Sequence, residues 1–153
     1  MGEATVSSVL GLRSRDPHFP MSLMNEVEKG FPLTALDRLA KAVAPGDAGF
    51  PFRMVARATL ARRRKALATA PAAPAHTATA RLSAEESARV ARLAAVWALA
   101  CEVWGGDEAA RAFLFRPHPM LEGRRPIDVV LANEFGRPLV EGILGGLQYG
   151  SAA

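Results

Sequence analysis

The stretch Leu82–Trp104, LSAEESARVARLAAVWALACEVW, decides the fold. Ser83 followed three residues later by Glu86 is a capping box, in which hydroxyl and carboxylate satisfy orphan amides at a helix start. The spacing then predicts a helix of about twenty residues ending at Trp104. Val90, Leu93, Trp97, Ala100 and Trp104 form one stripe, and Val96, Leu99 and Val103 widen it. So broad an apolar face predicts a central helix packed on more than one side.

Downstream, Gly105-Gly106 stops this helix, and Asp107 is expected to cap the next, whose Ala110, Phe113 and Leu114 face inward. A proline-rich loop follows. Pro126 suits a first helical turn and leads into Ile127, Val130 and Leu131. A last helix is expected to begin near Pro138 and to bury Leu139, Val140, Ile143, Leu144 and Leu147. Upstream, Met21, Leu23, Met24 and Val27 mark a short helix closed by Gly30. Leu33, Leu36, Ala40 and Val43 mark a second, between Pro32 and Pro45-Gly46. A third of about eight residues is expected over Leu60–Leu67, its Leu60 and Leu67 sharing a face. Nothing alternates for long enough to form a strand, so the fold class is all-α.

Composition divides the chain. Residues 1–20 read as a flexible arm and 21–68 as a small helical domain. Residues 69–80 hold no large side chain and cannot offset the entropy of ordering, so they read as a linker. Residues 81–153 form the second domain. Residues 1–80 carry eleven Lys/Arg and six Asp/Glu, and residues 81–153 carry eight and nine, so the basic excess (+5 against −1) lies in the first half. An acidic polymer is the partner this implies. Arg53, Arg57, Arg62, Arg63, Arg64 and Lys65 fall within thirteen residues. On a helix Arg62 and Lys65 point away from Leu60, where they can meet phosphates or guanine edges. Proline before Arg53, where an ordinary helix-turn-helix places a second helix, is a departure from that motif.

Several classes are set aside. One cysteine, Cys101, excludes an internal disulfide framework and reads as a buried, inert thiol. His18, His76 and His118 lack ligand spacing, so no metal is expected. Gly142, Gly145 and Gly146 are followed by no Lys-Ser/Thr, so no phosphate loop; Gly142 and Gly146 instead suggest close helix approach, within the chain or across a subunit or toxin interface. Neither a signal peptide nor a membrane span is expected, and the single thiol fits a cytoplasmic protein.

Residues 82–150 resemble the C-terminal toxin-binding domain of the Xre/MbcA/ParS antitoxins, partners of RES-domain toxins. The residues carrying the resemblance are Leu82-Ser83 with Glu86-Ser87, Arg92-Leu93-Ala94, Ala100, Val103-Trp104-Gly105, Phe113-Leu114, Pro117, and Leu121-x-Gly123-x-x-Pro126. Gly136, Val140, Leu144 and Tyr149-Gly150 complete the pattern. Gly30-Phe31-Pro32 and Ala58–Arg63 look like the family's Xre-type, helix-turn-helix-like DNA-binding domain. The family usually has tryptophan at Phe113, asparagine at His118 and often glycine at Glu122. The resemblance implies an antitoxin without catalytic residues or cofactor. It would cover the active site of a RES toxin that degrades NAD, and repress its own operon as a homodimer on operator DNA. The DNA-binding candidates are Arg53, Arg57, Thr59, Arg62, Arg63, Arg64 and Lys65. The toxin-binding candidates are His118, Glu122, Arg124, Arg125, Tyr149, Gly150 and Ser151. The other open reading is a stand-alone transcription regulator whose C-terminal domain dimerises.

Overall fold

The computed structural model describes residues 6–12, 20–69 and 81–150. The described chain is helical: α1 (Val6–Leu10), α2 (Pro20–Lys29), α3 (Leu33–Val43), α4 (Arg57–Thr69), α5 (Ala84–Trp104), α6 (Asp107–Phe115), α7 (Pro126–Ala132) and α8 (Gly136–Gln148). Short 3-10 turns occur at Phe50–Arg53 and Pro119–Leu121. The only pairing of extended backbone among the described residues is an isolated bridge between Pro32 and Arg81. The all-α class holds. The chain divides into two compact units, Ser7–Ala91 and a second that takes up the chain from Arg92, with the division inside α5. Most of the expected linker, and of the expected arm, lies outside the described residues.

The arm is not loose throughout. Val6–Leu10 is helical and buries Ser7 and Leu10. Gly11, at φ +67°, ends that helix while the Leu12 amide donates to the Ser7 carbonyl, a Schellman closure. In the same unit α3 buries Leu33, Leu36, Leu39, Ala40 and Val43, which is the expected periodic face. The Phe-Pro-Phe stretch becomes a 3-10 turn that buries Phe50 and Pro51. Proline tolerates that first-turn position because the amide it lacks has no intrahelical partner there.

The start of α5 is tied into this unit by polar contacts that fix its direction. The capping box forms as read: the Ser83 amide donates to Glu86 Oε1 at 2.7 Å, and the Glu86 amide donates to Ser83 Oγ at 3.1 Å. The Leu82 amide donates to the Phe31 carbonyl at 2.8 Å. The buried Ser87 hydroxyl accepts from the Phe31 amide at 2.8 Å, so a polar group inside the core is satisfied. Gly30 makes the approach possible. Its φ is +87°, and a Cβ there would stand 2.1 Å from the Leu82 carbonyl oxygen.

In the second unit α7 packs against both α6 and α8. Ala110, Phe113 and Leu114 of α6 are buried, as are Ile127, Val129 and Val130 of α7 and Val140, Ile143 and Leu144 of α8. Gly136 sets the α7–α8 spacing, since a Cβ there would lie 1.8 Å from the Val129 carbonyl oxygen.

Several sequence expectations are corrected. Asp107 is the first residue of α6 and not its cap; Gly106 holds the cap position without a side chain, and Asp107 pairs with Arg111 at 3.8 Å. α8 starts at Gly136, two residues before Pro138, and Leu139 and Leu147 are exposed. Leu139 lies one turn before the buried Ile143 but at the edge of the buried face, where it stays 58% exposed. α4 is thirteen residues long, buries Leu60 and leaves Leu67 exposed near its end. Within the chain, close helix approach occurs at Gly136, and a Cβ at Gly142 would meet no atom of the chain within 4 Å.

Candidate functional site

The basic helix separates into tethered and exposed cations. Arg63 forms an ion pair with the capping-box carboxylate of Glu86, and both side chains are largely buried. Burial alone would raise the Glu86 carboxyl; the Ser83 amide, the Arg63 guanidinium and the Ser83 hydroxyl outweigh it and hold the group below its ordinary value. Arg64 reaches Asp37 of α3 at 2.8 Å, in an exposed pair. Arg57 lies over the Phe52 ring at 4.0 Å. Arg62 and Lys65 are exposed and have no ion-pair partner among the described residues. Thr59 is half-buried at the base of the helix, and Arg53 is exposed at the end of the 3-10 turn. Of the seven residues proposed for DNA, then, Arg63 and Arg64 serve first to hold α4 against α5 and α3.

The loop between α6 and α7 is closed on itself. The His118 amide donates to the Arg124 carbonyl at 3.0 Å, and the His118 carbonyl accepts from Leu121 and Gly123. His118 also caps the Pro119–Leu121 turn, its Nδ1 accepting from the Met120 amide at 3.2 Å. An asparagine oxygen could accept the same bond. Glu122 takes a left-handed conformation at φ 56°, where glycine fits without strain. Leu121 and Pro126 are buried and anchor the two ends. Arg125 is not a spare cation: it makes a two-pronged contact with Asp128, at 2.8 and 3.0 Å, that raises its pKa. Arg116 and Arg124 are exposed.

Beside this loop lies a feature that sequence reading missed, an apolar cleft of about 300 Å3. Trp104, Ala109, Ala112, Phe113, Pro117 and Leu147 line it, with Arg116 and His118 supplying polarity. Trp104, Phe113 and His118 run in series, with ring centroids 5.9 and 6.1 Å apart. Trp104 is 43% exposed, although it sits on the stripe read as core. It is the last residue of α5, so no following turn covers it. Met120, 75% exposed, stands on the adjoining turn. The signal available in the sequence was a stripe that continues to a helix end.

The toxin-binding candidates do not form one patch. His118 lines the cleft and Glu122 and Arg124 lie on its loop, but Tyr149 follows Leu147 by two residues and so by about 200° of helical turn. It caps the end of α8, is not among the residues lining the cleft, and is 80% exposed. Gly150 ends the described chain at φ +65°, and Ser151 lies outside the described residues. Cys101 is half-buried, and its Sγ sits 3.5 Å from Asp107 Oδ1. Burial, followed by the Asp107 charge, pushes its thiol up to about 12, so thiolate chemistry is suppressed. Among the described residues no group of three or more His, Cys, Asp or Glu could hold a metal ion, and no helix is long and apolar enough to cross a membrane.

A comparison with curated proteins found no match. The family of the antitoxin Xre/MbcA/ParS C-terminal toxin-binding domain matches over residues 99–150, from inside α5 to the end of α8. That span contains the cleft, the closed loop and the exposed flank of α8. Over residues 99–150, the last third of the chain, the protein is therefore similar to that toxin-binding domain family.

Proposed function

We propose that the protein is the antitoxin of a type II toxin–antitoxin pair, and that it acts by binding, with no chemistry of its own. Its C-terminal unit docks a RES-domain, NAD-degrading toxin and covers the toxin's active site. The observation that carries this reading is the family match over 99–150 taken with the open apolar cleft inside it. Trp104, Leu147 and Met120 leave apolar surface in water, and an aromatic-lined pocket of this kind supplies the anchors of protein interfaces. Arg116 in the cleft lining and the exposed Arg124 on the closed loop favour an acidic surround on the toxin. The closed loop loses little entropy on docking because its own hydrogen bonds already fix it.

In this reading the unit Ser7–Ala91 binds operator DNA through the exposed edge of α4. Arg62 and Lys65 are the principal phosphate contacts, with Arg53, Arg57 and Thr59 beside them. Such cations favour any phosphate backbone, and base-specific contacts would add to that.

The test is co-expression with the protein encoded by the neighbouring gene, which this reading expects to be a RES-domain toxin. The full chain should co-purify with that protein and preserve cellular NAD, and Trp104→Ala with Met120→Ala should weaken binding at least tenfold. A toxin harmless without this chain, or a complex indifferent to both substitutions, contradicts the proposal. Arg62→Glu with Lys65→Glu should flatten the salt dependence of operator binding by about two counterions without touching toxin binding.

A further inference from the structure

The arginines of the second unit divide by whether a carboxylate holds them. Arg111 is held by Asp107, Arg125 by Asp128 and Arg137 by Glu141. Two of the three also lie over rings, Arg111 above Trp97 and Arg125 above Phe115, each at 5.7 Å. The side chains of Arg116 and Arg124 make no ion pair or hydrogen bond with the described residues. Of these two, Arg116 lines the apolar cleft, and the lining contains no carboxylate. A positive charge is thus built into an otherwise apolar wall with nothing of its own unit to meet it.

The walls set the shape of what would meet it. Trp104 and Phe113 have ring centroids 5.9 Å apart and planes inclined at 34°. Phe113 is buried and Trp104 half-exposed, so the indole offers its face to an occupant while Phe113 backs the cleft. The small side chains of Ala109, Ala112 and Pro117 leave room for a flat group beside them. His118 adds a second polar group. Its Nδ1 accepts from the Met120 amide, so the neutral ring carries its proton on Nε2 and keeps a donor to offer. The volume of about 300 Å3 is the lower end of small-molecule sites, which suits one or two fused rings.

We infer that the cleft binds a planar aromatic carboxylate, with its ring against Trp104 and its carboxylate on the Arg116 guanidinium. The His118 Nε2–H is the second donor for the same acid. Each part of this ligand answers a feature of the wall. An uncharged aromatic leaves Arg116 unmatched, an aliphatic acid forgoes the indole face, and a cation meets a like charge. A guanidinium takes a carboxylate through two parallel hydrogen bonds, and apolar walls that exclude water strengthen that contact. Ring against ring adds an offset or edge contact beyond the area it buries. The cleft is the one read above as the dock for a toxin, and a free acid is a separate occupant of it. Its binding is measured on the chain alone, so either reading can fail without the other.

The test is calorimetric titration of the full chain with 2-naphthoate, beside 2-naphthylmethanol, which keeps the rings and lacks the charge. The acid should bind about tenfold more tightly than the alcohol. Arg116→Gln should weaken the acid about tenfold and leave the alcohol unchanged, whereas Trp104→Ala should weaken both. Arg116→Gln should keep the wild-type melting temperature, because the exposed side chain has no partner to lose among the described residues. In proton–nitrogen spectra 2-naphthoate should shift the indole N–H of Trp104 and leave that of the buried Trp97 in place. A chain that takes up no 2-naphthoate at millimolar concentration, that binds the alcohol equally well, or that is indifferent to Arg116→Gln overturns the inference.

Discussion

In the unit Ser7–Ala91 the exposed edge of α4 is cationic, at Arg62 and Lys65. In the unit beyond it the available surface is apolar, at Trp104, Met120 and Leu147 around the cleft and at Phe135, Leu139 and Tyr149 along α8. Both units are built from the same materials: short helices, alanine- and leucine-rich cores, and one glycine where a Cβ would strike a carbonyl. What separates them is the use of arginine. In the first unit Arg63, Arg64 and Arg89 hold helices together, through Glu86, Asp37 and the Met54 carbonyl. The cations left over face water. In the second unit Arg125 and Arg137 pair with carboxylates three and four residues away, so they stiffen local structure and leave the apolar surface uncovered. A count of charges per half cannot show that difference; the partners of each charge do.

The sharpest way to break the comparison is to damage the units one at a time. Gly30→Ala forces a Cβ toward the Leu82 carbonyl, and Gly136→Ala forces one toward the Val129 carbonyl. Each should cost roughly 3 kcal/mol or more. Hydrogen exchange should place the lost protection within Ser7–Ala91 for the first and in the residues after Ala91 for the second. Equal loss in both units from either substitution would show that the division is not thermodynamic.

Glu86 gives a smaller and pH-dependent effect. Its carboxyl is held below the ordinary value in the folded chain, so it contributes stability at and above the ordinary carboxylate range and loses it as pH falls through the folded value. Glu86→Gln keeps a capping oxygen but removes the charge that meets Arg63. It should cost about 1 kcal/mol at neutral pH in denaturant titrations, and the gap to wild type should close in acid.

In the other unit the closed loop can be probed through its cap. His118→Ala removes the acceptor for the Met120 amide and should cost about 1 kcal/mol, whereas His118→Asn should be nearly neutral. The smallest effect is expected at Glu122, where asparagine accepts the left-handed conformation more readily. Glu122→Asn should add about 0.5 kcal/mol in a thermal melt.

Much of this architecture was legible. The capping box at Ser83 and Glu86, the extent of α5, the face of α3 and the entry of α7 at Pro126 all follow from local chemistry, and local chemistry is what a sequence displays. The surfaces were harder to read. Periodicity marked Trp104, Leu139 and Leu147 as core, but it reports which side of a helix a residue is on and not whether a neighbour reaches it. α5 ends at Trp104, Leu147 opens onto the cleft and Leu139 lies at the edge of the buried face of α8, so all three are exposed. Gly136 and Gly142 show the same limit. The two are alike in sequence, yet only the first lies against a carbonyl. The tethering of Arg63 by Glu86 joins residues 23 apart, and no motif announces such a pair.

The account rests on the cleft beside the closed loop being where the C-terminal unit meets its protein partner. Tryptophan fluorescence reads this directly, because Trp97 is buried while Trp104 is open to solvent. Iodide quenching of the full chain, alone and bound to the toxin proposed for it, should show the accessible emission disappear in the complex. A complex that forms while Trp104 remains as open to iodide as before would contradict the account.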